Sequence, residues 1–420
     1  MPVEWPAVTG VRIVHAADIH LDSPLRGLSR FADDDLARRL RLASRRAMEN
    51  LVRLVVDKGA HALVLAGDIY DGDWRDYATG QFFARQMDVL DQHGVHVFMV
   101  AGNHDAASVV TKALPLPGNV TVMSTDKAET ITVDDLGLAV HGQGFASKAV
   151  DENLALSYPD RVEGLVNVGI LHTAVSGAEG HARYAPCSPA DLERKDYEYF
   201  ALGHVHTRRV VNKGHRVAAF SGNLQGRHAN ETGPKGALIV DLAVDQEAVL
   251  SFEPLDVARW EKVEVDATGL RSIDEVFDSV ERRLAEARTI TGDRPLLARV
   301  TITGETAVAG TLSDRVRLTE TVRSIAERAG VTLEKGVSQA RPPRADGNVE
   351  DRLLDAVRQR GRELTADLGL VHEMAKWPDR DFGLELRRSG LLDLRDDDVL
   401  RRITATALDA LVAKLSPEVS

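Results

Sequence analysis

Short runs of Val, Ile, Leu and Ala alternate with polar stretches along the first hundred residues. Residues 11–17, 62–66 and 95–101 are almost wholly apolar, and each run ends at a polar cluster. That is the pattern of strands buried on both faces in α/β folds. Between the first two runs, residues 34–57 bring Leu36, Leu40, Ala43, Ala47, Leu51 and Leu54 near one face. The spacing predicts one amphipathic crossover helix, with Arg38, Arg39, Arg41, Arg45 and Arg46 on its solvent side. A second series of strands is predicted at 119–123, 130–133, 138–141, 166–171, 199–202, 217–220 and 237–242. Strands, then helices, then more strands predict two packed sheets flanked by helices.

The pattern changes near Trp260. Residues 263–265, 297–302 and 331–334 read as strands, and 272–287 and 313–329 as helices, the second closed by Gly330. This is a small βαβαβ unit. Arg341-Pro342-Pro343 interrupts it as a linker would. Residues 351–367 and 398–415 then read as helices. The second carries Leu400, Ile403, Ala407, Leu411 and Leu415 in one stripe, expected to pack in a core. Asp396 to Asp398 favour its N-terminus, and Pro417 follows its end. The expected class is α/β, in three regions: 1–258, 259–340 and 341–420.

Composition narrows this picture only a little. A chain of 420 residues is long enough for two or three domains, and its 44% hydrophobic content is ordinary for a globular protein. The formal net charge of −12 is spread over both parts of the chain, so neither is a basic domain. Composition therefore gives no support to tight non-specific binding of nucleic acid, although divalent ions would offset site carboxylates locally. Cys187 is the one cysteine, which excludes an internal disulfide and fits a reducing compartment. The first ten residues lack the basic and apolar regions of a signal peptide. No run reaches the ~18 apolar residues of a membrane helix. The expectation is a cytoplasmic protein with no membrane association.

Five polar clusters fall at or just after predicted strand ends. They are Asp18-Ile-His20, Gly67-Asp68-Ile-Tyr-Asp71, Gly102-Asn103-His104-Asp105, His172, and Gly203-His204-Val-His206. Carboxylates, imidazoles and an amide oxygen suit manganese, iron, zinc or nickel, and the lack of cysteine argues against a closed structural zinc site. In open α/β sheets functional groups collect beyond the carboxyl ends of the strands. Asp68, at such an end, can offer one oxygen to each of two metals, the standard device for in-line phosphoryl displacement.

The set DxH, GDxxD, GNHD, H and GHxH, in this order, resembles the calcineurin-like metallophosphoesterase superfamily. The stretches Ala17-Asp18-Ile-His20-Leu-Asp22-Ser-Pro24, Gly180-His181, Tyr184-Ala-Pro186-Cys187 and Ala201-Leu-Gly-His204-Val-His206 narrow the match. So do Gly222-Asn223, Gly226-Arg227-His228 and Lys235-Gly236. They are similar to the bacterial DNA repair exonuclease branch (SbcD/YhaO-like), most of all its YhaO-like subgroup. The likeness covers about the first 255 residues well and the rest only in layout.

The resemblance implies a two-sheet metallophosphoesterase sandwich, a small capping domain and a helical C-terminal region that docks on an SMC-like (SbcC/YhaN-type) coiled-coil ATPase. It implies two divalent ions of manganese type. Asp18, His20 and His206 would hold the first, Asn103, His172 and His204 the second, and Asp68 would bridge them. His104 would stabilise or protonate the leaving oxygen, and Asp71 would orient its ring. A hydroxide attacks, so no protein nucleophile is required. The implied activity is exonucleolytic and endonucleolytic cleavage of DNA in repair. Homodimers occur in this branch, but no dimer surface is located in the sequence. Two other readings remain open: a phosphoesterase acting on a small nucleotide or phosphoester, and a non-catalytic scaffold for an ATPase.

For any single histidine a structural or surface role is the ordinary one. His15, His61, His93, His96, His141, His215 and His372 are read that way. Asp22 and Asp105 read as turn or helix caps. Arg208, Arg209, Arg227 and His228, near the motifs, are candidate phosphate contacts, as is His181 in a glycine-containing loop. Tyr184 and Trp74 are the nearby aromatic candidates for base stacking.

Overall fold

The computed structural model describes residues 10–23, 31–71, 77–107, 115–175, 184–343, 349–367, 369–376 and 394–415. His181 and Trp74 lie outside them. The chain divides into two compact units, one reaching Glu261 and including Asp293–Pro295, the other formed by Lys262–Gly292 and Leu296–Ser420.

In the first unit the strands follow one another as β1 (Val11–Ala16), β2 (Ala62–Leu65), β3 (His96–Met99), β4 (Val120–Val122), β5 (Glu129–Val133) and β6 (Leu138–Gly142). Then come β7 (Val166–His172), β8 (Tyr199–Gly203), β9 (Arg209–Asn212), β10 (Val217–Phe220), β11 (Gly236–Leu242) and β12 (Val249–Pro254). They form two six-stranded sheets, ordered β12-β11-β1-β2-β3-β4 and β5-β6-β7-β8-β10-β9. Pairing is parallel from β1 to β4 and along β6-β7-β8-β10, with antiparallel strands at the flanks.

The period-two alternation of each strand explains the layers. Ile13, Val64 and Phe98 of the first sheet share a buried cluster with Val168, Ile170, Tyr199 and Ala201 of the second. Their neighbours Val14, Leu63, Leu65, Val97 and Met99 point the other way, onto Leu51, Val55, Phe83 and Met87. Those side chains come from two helices, α2 (Ala43–Asp57) and α3 (Tyr77–Gln92). The outer face of the second sheet, through Leu171, Phe200, Leu202 and Phe220, packs on Leu154, Tyr158 and Leu192.

The single helix expected over 34–57 is two. Helix α1 (Asp34–Arg41) is capped by the Asp33 carboxylate, which accepts the Leu36 N–H, and the chain breaks at Leu42 before α2 begins. Beyond the break Ser44 Oγ accepts the Asp22 N–H at 3.0 Å, and Arg45 grips the Asp22 carboxylate through two bonds of 2.7 and 2.6 Å. Arg45 also lies 5.1 Å over the Phe82 ring. It is therefore not on the solvent side, and Asp22 is an ion-pair partner rather than a cap. The edge strands β9 and β12 are not anticipated by the sequence pattern. His15 and His141 are structural, as expected: His15 Nδ1 lies 2.8 Å from the Tyr199 hydroxyl, and His141 lies between Thr130 and Asn167.

The second unit contains the expected βαβαβ order. Strands β13 (Arg259–Asp266, in this unit from Lys262), β14 (Leu296–Thr303) and β15 (Thr332–Ser338) form a three-stranded sheet in that order. Ile273–Thr291 starts with a reciprocal capping box between Ser272 and Glu275 and stops at Gly292, whose φ is 67°. Its Val276, Val280 and Leu284 pack with Val263, Val300 and Val322. The terminal helix Asp397–Leu415 buries Leu400 and Val412, at 3% exposure each, while Ile403 and Leu411 are exposed at 36% and 49%. The buried face is thus rotated by one residue from the expected stripe, so Ile403, Ala407 and Leu411 face outward instead of packing. Among the described residues, no helix is long and apolar enough to cross a membrane.

Candidate metal centre

The site forms where the carboxyl ends of the two sheets touch. The ring nitrogen Nδ1 of His172, at the end of β7, lies 2.9 Å from the Ala66 carbonyl, which follows β2. A Cβ on Gly203, at the end of β8, would sit 1.8 Å from that same oxygen. Only glycine permits this approach.

Past the strand ends the backbone is left-handed at five non-glycine residues of these loops: Asp18 (φ 51°), His20 (φ 47°), Asp22 (φ 57°), Asp68 (φ 53°) and His204 (φ 99°). Such positions cost about 1–2 kcal/mol each and persist where the surroundings fix them. Here the first two loops are zipped together. The N–H groups of Asp18, His20 and Leu21 donate to the carbonyls of Gly67, Asp68 and Ile69 at 3.1, 3.0 and 2.9 Å. The Asp18 carboxylate accepts the His204 N–H, and Asp68 Oδ1 accepts the His104 N–H at 2.9 Å. Asp105 is no cap. Its buried carboxylate accepts N–H groups from Gly102, Ile69 and Tyr70, tying the third loop to the second.

All seven residues expected to hold metal come together. His20 Nε2 lies 3.3 Å from His206 Nε2, and His206 Nε2 lies 4.0 Å from Asp18 Oδ1. On the other side His172 Nε2 lies 3.0 Å from Asn103 Oδ1, and the His204 ring is 5.2 Å from the His172 ring. Asp68 sits between, its Oδ2 3.9 Å from His20 Nε2 and 3.5 Å from His172 Nε2. Three residue sets can each converge on an ion: Asp18, His20 and His206; His20, Asp68 and His104; and Asp18, Asp68 and His172.

Electrostatics point the same way. Burial pushes the Asp18 carboxyl well above its usual range, with Asp68 adding to the shift, and raises Asp68 to about 6. Burial also lowers His20, His206 and His172, the last to about 4. The Ala66 carbonyl can only accept, so His172 carries its proton on Nδ1 and presents a bare Nε2. Two buried carboxylates pressed among neutral imidazoles are costly alone, and divalent cations would neutralise them. The donor set fits two such ions.

His104 differs from these imidazoles. A third of its side chain is exposed, against 1% for His20 and none for His172. Its Nδ1 lies 3.1 Å from Asp71 Oδ1, and Asp71 raises the pKa of the ring. Hydrogen bonding to His104 first, and then to His20, holds the Asp71 carboxyl far below its usual range. Ser23 Oγ donates to its other oxygen at 2.7 Å.

Of the candidate phosphate contacts, Arg227 reaches the centre, with Nη1 3.8 Å from Asp71 Oδ1 and Nη2 3.6 Å from Glu231 Oε1. His228 is half-exposed, 3.5 Å from Glu231. Arg208 and Arg209 instead stack over Phe252 and Phe220, at 4.3 and 5.6 Å. The Tyr184 ring is 5.2 Å from the His204 ring. Two neighbours were not anticipated as site residues. Glu231 lies 2.6 Å from His206 Nδ1, and the buried Lys235 donates to the His206 carbonyl at 2.9 Å. Lys235 stood in a recognisable Lys-Gly pair, whereas nothing around Glu231 marks it.

The closeness of Gly102 to Asp68 gives a test. A Cβ there would lie 2.2 Å from Asp68 Oδ1 and 2.6 Å from its backbone nitrogen. Gly102→Ala is expected to displace the Asp68 carboxylate, weaken any divalent-ion binding at the site at least about 10-fold and destabilise the fold by about 1–3 kcal/mol. Calorimetric ion titration and thermal melting read both. Unchanged ion affinity would show that the Asp68 position is unimportant.

Comparison with known proteins adds relatives to this geometry. Residues 11–208 match the family model of calcineurin-like phosphoesterases, and residues 260–341 match the middle domain of metallophosphoesterase YhaO. The chain is 30% identical over 284 residues to the uncharacterized metallophosphoesterase YhaO of Bacillus subtilis (strain 168), covering 67% of this chain and 69% of that protein. It is 25% identical over 275 residues to the SbcD component of the nuclease SbcCD of the same organism, covering 57% of this chain and 68% of the relative. The DNA double-strand break repair protein Mre11 of Methanocaldococcus jannaschii is 23% identical over 285 residues, or 64% of this chain and 73% of its own.

Proposed function

Because the chain belongs to the calcineurin-like metallophosphoesterase family, we propose that it is a DNA nuclease that hydrolyses phosphodiester bonds with two divalent ions, of manganese type, and works with a coiled-coil ATPase. The observation that carries the reading is the Asp68 carboxylate, set between the His20 and His172 imidazoles beside a solvent-facing His104. Asp18, His20 and His206 would hold one ion, Asn103, His172 and His204 the other, and Asp68 both. When bound, the ions supply positive charge opposite the phosphate oxygens and lower the pKa of water.

The rest is the work of side chains. His172 and His206 face their Nε2 atoms inward because Nδ1 is held by Ala66 and Glu231. Arg227 lies where a guanidinium can pair with phosphate oxygens, its Nε without a hydrogen-bond partner among the described residues. His104, steadied by Asp71, donates a proton to the departing oxygen. The DNA reading draws on the likeness to a nuclease subunit and to a DNA double-strand break repair protein. The exposed row of Ile403, Ala407 and Leu411 supports the partner reading, since an apolar helix face outside a core is a surface that an ATPase coiled coil can cover.

The test is cleavage of linear duplex DNA and of bis(p-nitrophenyl) phosphate, side by side, with and without an ATPase partner. Stripping divalent ions with a chelator is expected to abolish turnover, and manganese to restore it. DNA cleavage sustains the proposal. Turnover of the small ester alone would replace it with a small-phosphoester reading. Bound ions without any turnover would leave a scaffold.

A further inference from the structure

Glu231 belongs to none of the five polar clusters, yet its carboxylate holds several of the centre's supports at once. It is buried, at 6% exposure. Oε1 lies 2.6 Å from His206 Nδ1. Because a carboxylate only accepts, His206 must carry its proton on Nδ1, which turns a bare Nε2 towards His20 and Asp18. Oε2 accepts the Arg227 backbone N–H at 2.7 Å and the Asn223 side-chain amide at 2.9 Å. Asn223 is itself buried and bridged to Ala17, the residue before Asp18. Arg227 then lies between two carboxylates, Glu231 on one side and Asp71 on the other.

We infer that Glu231 is a positioning residue that couples the two halves of the site: one oxygen fixes the tautomer and direction of His206, and the other fixes the loop presenting Arg227 to phosphate. This deepens the phosphodiesterase reading and rests on it only for the identity of the ligands. An imidazole can accept a replacement partner from solvent. The simultaneous hold on His206 and Arg227 cannot be replaced so easily, because the three donors converge on the two oxygens of one buried group. A glutamine there would point an amide N–H₂ at the donors on one side, whichever way it is flipped.

The experiment compares wild type, Glu231→Gln and Glu231→Asp by manganese titration calorimetry, with melting of the ion-free proteins as the check on folding. Glu231→Gln is expected to bind at least one of two ions about 10–100-fold more weakly. It should also bind inorganic phosphate more weakly when loaded with manganese. Glu231→Asp, shorter but still a double acceptor, should recover part of both. Unchanged manganese affinity in a folded Glu231→Gln protein overturns the inference. Should that variant not fold, the aspartate variant decides alone: intact affinities for both manganese and phosphate would equally overturn it. If wild type binds manganese but leaves DNA uncut, the DNA reading fails while this comparison keeps its meaning.

Discussion

Replacing His104 by alanine is expected to slow DNA cleavage by about 10²–10⁴-fold while both ions remain bound. The reason lies in how the residue is attached to the site. Its backbone N–H supports Asp68, and alanine keeps that bond. Its ring is among the candidate ion donors, but it is the exposed member of its set. What alanine removes is an imidazole whose proton Asp71 helps retain. The leaving group provides the discriminating measurement. A DNA strand leaves as a poor alkoxide and needs a proton, whereas p-nitrophenolate leaves well without one. The defect should therefore be large on DNA and much smaller on the nitrophenyl ester. Equal defects on both would show that His104 binds or orients phosphate and does not protonate. Loss of bound manganese in the variant would make it a ligand instead.

The second large effect is expected at Asp68. Asp68→Asn preserves volume and an oxygen for the His104 N–H, but it removes the charge shared by the two donor groups. Ion stoichiometry should fall from two to one or none, and turnover with it by more than about 100-fold. The ion-free protein should respond in the opposite sense. Burial makes an ionised Asp68 unfavourable beside Asp18, as its raised pKa shows. The neutral amide relieves that cost, so the ion-free variant should melt higher than ion-free wild type. Manganese should then add less to its melting temperature. A variant that melts lower without ions, or that still binds two, would contradict this account.

The sequence makes the candidate ligands legible because each is local to a strand end and all but His172 sit in a distinctive cluster, as in Gly-Asn-His or Gly-His-Val-His. It makes the strands legible because runs such as residues 62–66 have no polar interruption. What it hides is relational. Nothing in the run from Ala43 to Leu54 reports the break at Leu42, because the apolar spacing continues through it. The break becomes intelligible only from Asp22, which draws Ser44 and Arg45 towards it. Strands β11 and β12 come after every strand of the second sheet but join the first, and no local signal says so. The stripe on the last helix could be placed to within one residue, and that residue decides whether Ile403 and Leu411 are buried. Glu231 is invisible for the plainest reason: its partner His206 is 25 positions away, and a lone glutamate has no pattern.

One further consequence follows from where the sheets touch. Asp18, His20, Asp68 and Asn103 follow strands of the first sheet, and His172, His204 and His206 belong to the second. Neither sheet alone supplies the sets Asp18–His20–His206 or Asp18–Asp68–His172. The remaining set, His20–Asp68–His104, comes from loops of the first sheet alone. In a chain still being synthesised, the donor sets Asp18–Asp68–His172 and Asp18–His20–His206 stay incomplete until the residues of the second sheet have been made and have docked.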